Sequence, residues 1–217
     1  MGSRRAVVLT VLLSLLVAGA AVGAAGYLRG SPEPAPSPPT PSLQPTSAGC
    51  RIEPCEVVAS STVAGTRIDL LADAGRKSAR LKIGADRLVE STIAELGATL
   101  NPDSLQCEPA RLSACMIRGA YNGGTVGEVV VGRSGKWGSA NRRYYSSAGY
   151  LAVIDINKDG GPEVVTVHSS FYAQVYAIDG EDLGCTRQVA RREQLPGWPI
   201  VKPATKDLTK PCPQSPS

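Results

Sequence analysis

The chain has few aromatic residues: 5 % of its 217 residues, with a single Phe, two Trp and one His. A core must therefore be assembled from Val, Leu, Ile and Ala. No two cysteines have the C-x-x-C spacing that zinc sites favour, so the six cysteines do not point to zinc. A nucleophile elbow of the G-x-S-x-G type is also missing, because Gly132-Arg133-Ser134-Gly135 has no second glycine at the required place. The same stretch fails as a phosphate loop, since Trp137 follows Lys136 where Ser or Thr is needed. Charge of one sign is scarce as well. The net charge is +4, and Arg4, Arg5 and Arg29 set against Glu33 supply half of it. What remains is too balanced for nucleic acid, which favours a strongly basic stripe.

The N-terminal part is an exception to this plain composition. Arg4 and Arg5 precede an apolar run from Ala6 to Val17, followed by an Ala/Gly stretch to Gly26. Two readings of residues 1–29 stay open. A cleaved signal peptide needs a short apolar region and small residues at the cleavage site. An uncleaved anchor needs an uncharged run long enough to span a bilayer, and residues 6–28 provide one with arginines at its inner edge. The unbroken run favours the anchor, a transmembrane helix at a cell membrane, with the rest of the chain extracytoplasmic or, after cleavage, secreted. Residues 30–49 contain seven prolines among Ser, Thr and Ala. Such a composition buries no core and reads as a disordered, extended linker.

In an exported chain, Cys50, Cys55, Cys107, Cys115, Cys185 and Cys212 read as a disulfide framework. Six cysteines allow fifteen pairings. Nearest-neighbour pairing is favoured here, because it also ties the Pro-rich tail 200–217 back to a domain spanning 50–199 through Cys212.

The most informative stretch is Asp155-Ile156-Asn157-Lys158-Asp159-Gly160-Gly161-Pro162-Glu163. Oxygen-bearing side chains stand at alternate positions, with a glycine where the backbone must turn and a glutamate closing the run. That pattern supplies oxygens to a hard cation such as Ca²⁺. The flanks, Tyr150–Ile154 and Val164–Val167, are apolar or β-branched and too short for helices. An EF-hand needs flanking helices and a glutamate where this chain has Thr166. Asn, Asp and Gly are also the ordinary turn residues, so a hairpin turn without metal is the competing account.

Strand, D-x-N-x-D-G-x-x-E and a Val-rich strand together resemble the calcium-loop unit of FG-GAP/VCBS repeat proteins, which are usually β-propellers. The continuation Ala173–Gly180 is similar to the outer strand and Asp-Gly turn that end many propeller blades. The resemblance covers about residues 150–180. It implies Asp155, Asn157, Asp159 and Glu163 as side-chain ligands, the Gly161 carbonyl as a backbone ligand, and Ca²⁺ in a structural role. Asn157 and Glu163 depart from the commoner aspartates.

Strands are expected at Glu56–Ser60, Thr66–Leu71, Ser78–Ile83, Leu112–Ala120, Gly127–Gly132, Gly149–Ile154, Glu163–Val167, Gln174–Ile178 and Cys185–Ala190. Leu88–Leu96 is the one helix candidate, with Gly97 as its stop. The fold class is mainly β: a small disulfide-stapled domain, blade-like or a sandwich, with one short helix. Glu-Val-Val recurs at Glu56, Glu128 and Glu163. There is too little chain for a closed propeller, so a single blade-like unit is expected.

Two stretches compete for function. Lys136, Trp137, Arg142, Arg143, Tyr144 and Tyr145 lie in what reads as a long exposed loop over 136–147. Its rings could stack on sugars and its cations could meet anionic polymers or the acids of a partner protein. The alternative reading is that Trp137 and one tyrosine plug the core. His168, followed by Ser169 and Ser170, is the candidate base of an extracytoplasmic hydrolase. The favoured reading is a non-catalytic cell-envelope binding module, with an envelope polymer or protein as partner.

Overall fold

The computed structural model describes residues 50–213. The segments read as signal or anchor (1–29) and linker (30–49), together with residues 214–217, lie outside the described residues. Twelve strands follow one another: β1 (Glu56–Val63), β2 (Thr66–Ala72), β3 (Ala79–Ile83), β4 (Arg87–Ser91), β5 (Leu105–Glu108) and β6 (Ser113–Tyr121). They continue with β7 (Gly124–Arg133), β8 (Lys136–Ser146), β9 (Leu151–Ile154), β10 (Glu163–Val167), β11 (Ala173–Tyr176) and β12 (Asp182–Cys185). These make three four-stranded sheets, β1–β4, β5–β8 and β9–β12, in which sequential strands are hydrogen-bonded neighbours. All pairings are antiparallel.

The alternation of side chains along each strand decides how the sheets stack. In the first sheet Ile68, Leu70, Leu81 and Val89 face inward and meet Cys115, Ile117, Val130 and Trp137 of the second. The opposite face of the second sheet, with Ala114, Met116, Val129 and Tyr144, packs on Leu151, Val153 and Val164 of the third. The remaining face of the third sheet, with Ala152, Ile154, Val165 and Val175, is covered by Leu195, Val201, Trp198 and Leu208 of the C-terminal segment. The result is a stack of four layers. The second and third sheets are covered on both faces, so β9 and β10 are buried at every position. The outer face of the first sheet is polar, with Arg67 paired to Asp69 and Arg80 to Glu90.

Three disulfides pin this stack: Cys50–Cys55, Cys107–Cys115 and Cys185–Cys212, the nearest-neighbour pairing. The last fixes the C-terminal layer, and Thr209 extends it by a bridge to Cys185 on the edge of β12. Packing continues beyond Pro199, since Val201 is fully buried.

Three expectations are corrected. Leu88–Leu96 is not a helix. Leu88 and Glu90 are exposed while Val89 and Ser91 are buried, the two-residue period of a strand. A single turn follows, closed by Gly97 N–H to the Ala94 carbonyl (3.0 Å) and Ala98 N–H to the Ile93 carbonyl (3.1 Å). Gly97, at φ 93°, is therefore a helix-type stop on one turn. Second, residues 136–146 are not a loop but β8, an edge strand paired with β7. Third, the strand expected over Cys185–Ala190 lies earlier: β12 runs Asp182–Cys185 and pairs with β11, and residues 186–190 are not in a strand. The described residues thus form a mainly β domain of three antiparallel four-stranded sheets.

Candidate metal site

The β9–β10 ladder pairs Ile154 with Glu163 and so fixes both ends of the loop 155–162. Within it Lys158 (φ 62°) and Gly160 (φ 83°) turn the chain through the left-handed region, which glycine tolerates without strain. The acidic side chains close back on the loop. Asp155 Oδ2 accepts from Gly160 N–H at 3.0 Å, Asn157 Oδ1 from Asp159 N–H at 2.9 Å, and Asp159 Oδ1 from Gly161 N–H at 2.7 Å. The Asn157 amide donates to Asp159 Oδ2 at 2.9 Å and to Glu163 Oε1 at 3.2 Å, bridging two carboxylates. Glu163 Oε2 accepts from Ile156 N–H at 3.0 Å.

Two features exceed what a turn requires. Asp155 Oδ1 is buried and has no hydrogen-bond partner. Glu163 is 5 % exposed, and no ion pair among the described residues neutralises Asp155, Asp159 or Glu163. Burial pushes the Glu163 carboxyl above the usual carboxylate range. The Ile156 N–H opposes that rise, and the charges of Asp159 and Asp155 add to it. An unpaired buried carboxylate oxygen beside like charges is costly. The donor set is all oxygen, which suits a hard cation. In the arrangement described, Asn157 turns its nitrogen toward the carboxylates. Among the described residues no cluster of three or more His, Cys, Asp or Glu side chains is gathered tightly enough to hold an ion. Coordination would require Asn157 to rotate its amide and release three hydrogen bonds, with the Gly161 carbonyl as the backbone ligand.

The loop is braced from the second sheet. Leu112 N–H donates to the Gly160 carbonyl at 2.9 Å. A Cβ on Gly160 would stand 3.1 Å from the Arg111 Cβ. Both contacts come from the β5–β6 hairpin that Cys107–Cys115 closes.

The residues of β8 divide by face. Trp137 and Tyr144 are buried, in the cores on opposite sides of the second sheet. The Trp137 ring lies over Gly132, where an added Cβ would come within 2.6 Å of it. Lys136, Arg142, Arg143 and Tyr145 are exposed, and Tyr145 donates to the Asn122 carbonyl at 3.1 Å. The ring faces expected to stack on sugars are thus inside at Trp137 and Tyr144, and at the surface only at Tyr145. Arg142 and Arg143 line a cleft of about 390 Å³ with Thr92 and Glu128.

Sequence reasoning missed that last pair. Glu128 is 7 % exposed, accepts from Thr92 N–H at 3.1 Å and from the Thr92 hydroxyl, and forms an ion pair with Arg143 at 3.6 Å, whose Nε donates to Thr92 Oγ1 at 3.0 Å. Its signal was a lone acid in the Val-rich run 126–131, which a buried strand tolerates only with partners. His168 is held by Gln174 Oε1 at 3.1 Å from Nε2 and by stacking on Tyr172 at 4.3 Å. The backbone N–H of Ser169 donates to Ser147 Oγ at 2.8 Å. Asp179 caps a hairpin turn, accepting from Glu181 N–H at 3.1 Å.

No protein family, curated protein or solved structure matches the chain.

Proposed function

We propose that the chain is a non-catalytic binding module of the cell envelope whose β9–β10 loop is a structural Ca²⁺ site. The observation that carries the metal reading is Asp155 Oδ1, a buried and unpartnered carboxylate oxygen in a loop that also holds Asp159 and the buried Glu163. A cation neutralises the three carboxylates and rigidifies the hairpin, with Asp155, Asn157, Asp159, Gly161 and Glu163 as ligands, in keeping with the resemblance to an FG-GAP/VCBS calcium loop. Extracellular modules of this kind bind Ca²⁺ at about 10⁻⁴–10⁻³ M, and binding stabilises the fold by mass action.

The binding surface is the exposed side of β8, where Lys136, Arg142 and Arg143 suit an anionic envelope polymer or an acidic envelope protein. In this reading the N-terminal segment is an anchor or cleaved signal and the Pro-rich linker a spacer, with the module outside the membrane, tethered or released. Thermal unfolding of the full chain with excess Ca²⁺ and with chelator tests the metal reading. Ca²⁺ is expected to raise Tm, and Asp155→Ala combined with Asp159→Ala to remove the rise. An unchanged Tm after metal stripping leaves an ordinary turn.

A further inference from the structure

Arg118, in β6, is anchored by three hydrogen bonds to three different parts of the fold. A guanidinium carries five N–H groups. Nε donates to the Asp103 carbonyl at 3.2 Å, and Nη1 donates to Gln106 Oε1 at 3.2 Å and to the Leu151 carbonyl. Both hydrogens of Nη2 remain. Its anchors come from separate places: Asp103 in the 3-10 turn Pro102–Ser104, Gln106 in β5, and Leu151 at the start of β9. None of the ion pairs among the described residues includes Arg118. Carbonyl dipoles orient this cation without neutralising it. Because three of its donors are already fixed, little rotamer entropy is left to lose when an anion arrives.

Arg118 lines a cleft of about 310 Å³ together with Asn101, Asp103 and Tyr150. That is the small end of ligand cavities, which run from about 300 to 1,000 Å³, so it suits one small unit. Asn101 Oδ1 is held by Asp103 N–H at 2.8 Å, which orients the side-chain amide and leaves its NH₂ as a donor. The Asp103 side chain is exposed and, when ionised, is a pure acceptor. Tyr150 is half-buried and tilted against Trp198, with ring centroids 6.4 Å apart. One cation, one amide donor and one carboxylate acceptor therefore border a single cleft, and the ring of Tyr150 packs away from it against Trp198.

We propose that this cleft binds an acidic monosaccharide unit, with Arg118 Nη2 on its carboxylate and Asn101 and Asp103 on its hydroxyls. Guanidinium is the residue chemistry that recognises carboxylate, and an amide donor beside a carboxylate acceptor matches neighbouring sugar hydroxyls, which both donate and accept. The site uses neither the calcium loop nor β8, so it stands or falls apart from the function proposed above.

Titration of the full-length protein with glucuronic acid, glucose, acetate and inorganic phosphate, followed by saturation-transfer NMR, tests it. Glucuronic acid is expected to bind at least about tenfold tighter than glucose, acetate or phosphate, the worth of one added charged hydrogen bond. Asp103→Ala is expected to weaken glucuronic acid about tenfold without changing acetate. Only the backbone carbonyl of Asp103 anchors Arg118, so this variant keeps the anchor. Arg118→Lys, checked for folding by circular dichroism, is expected to reduce glucuronic acid to the level of glucose. Equal binding of acetate or phosphate, equal binding of glucose, no binding of glucuronic acid up to about 10 mM, or indifference to Asp103→Ala would each overturn the proposal.

Discussion

Glu163 couples folding to protons and, if the loop takes Ca²⁺ as proposed, to metal. Its carboxyl is raised in the folded chain, chiefly by burial. A group whose folded pKa lies above its unfolded value adds stability that is complete below the unfolded pKa and is lost as pH rises through the folded one. In chelator, the Tm of the native chain should therefore fall as pH climbs from about 4.5 through the raised value, relative to Glu163→Gln, which has no such titration. If the loop binds Ca²⁺ as proposed, the sign reverses in its presence, because cation and proton compete for the same oxygens. The Ca²⁺-induced rise in Tm should grow over that window. Matched melts of the two proteins across pH, with and without Ca²⁺, measure both effects. Identical profiles for native and variant chains would remove Glu163 from the site.

Individual elements divide β8 between packing and surface. Trp137 sits between the first two sheets, and Trp137→Ala is expected to cost about 3–5 kcal/mol as a cavity opens there. Arg142→Ala, at an exposed position, should stay within about 0.5 kcal/mol in the same urea unfolding experiment. If the exposed face of β8 binds an envelope polymer, Arg142→Ala weakens that binding while the fold is untouched. Glu128 ties β7 to the turn after β4 through Thr92. Glu128→Ala strands the Thr92 N–H and is expected to cost about 1–3 kcal/mol.

For the molecule as a whole, stability depends on how the stack ends. The first sheet turns a charged face outward and needs no cover, whereas the third presents an apolar face that the C-terminal segment covers. Cys185–Cys212 closes the longest of the three disulfide loops, 27 residues against 5 and 8. Loop-closure entropy makes it worth about 3–4 kcal/mol, against about 2 kcal/mol for Cys50–Cys55. Replacing Cys185 and Cys212 by Ala should therefore lower the urea midpoint more than replacing Cys50 and Cys55. It should also expose the face around Val165 and Val175 to a hydrophobic dye such as ANS, which the other pair should not.

The sequence by itself determined what is local. Alternate Asp155, Asn157 and Asp159 with Gly160 marked the loop, and Val-rich runs bounded by Gly and Asn turns marked most of the strands. Nearest-neighbour pairing of the cysteines, favoured because it ties the tail back through Cys212, is the pairing observed. These signals are legible because turn chemistry and β-branching act within a few residues. β8 was illegible because its register shift, between Glu128 and Val130 on its partner β7, breaks the two-residue alternation. β4 was misread because one turn with a glycine stop follows it directly. The order of layers was left to the tertiary structure. Ala114 and Cys115 are both apolar and adjacent, yet they serve different cores. Which face meets which sheet depends on contacts between residues far apart in the chain. Arg118 shows the same limit: its anchors at Asp103, Gln106 and Leu151 meet only when the sheets stack.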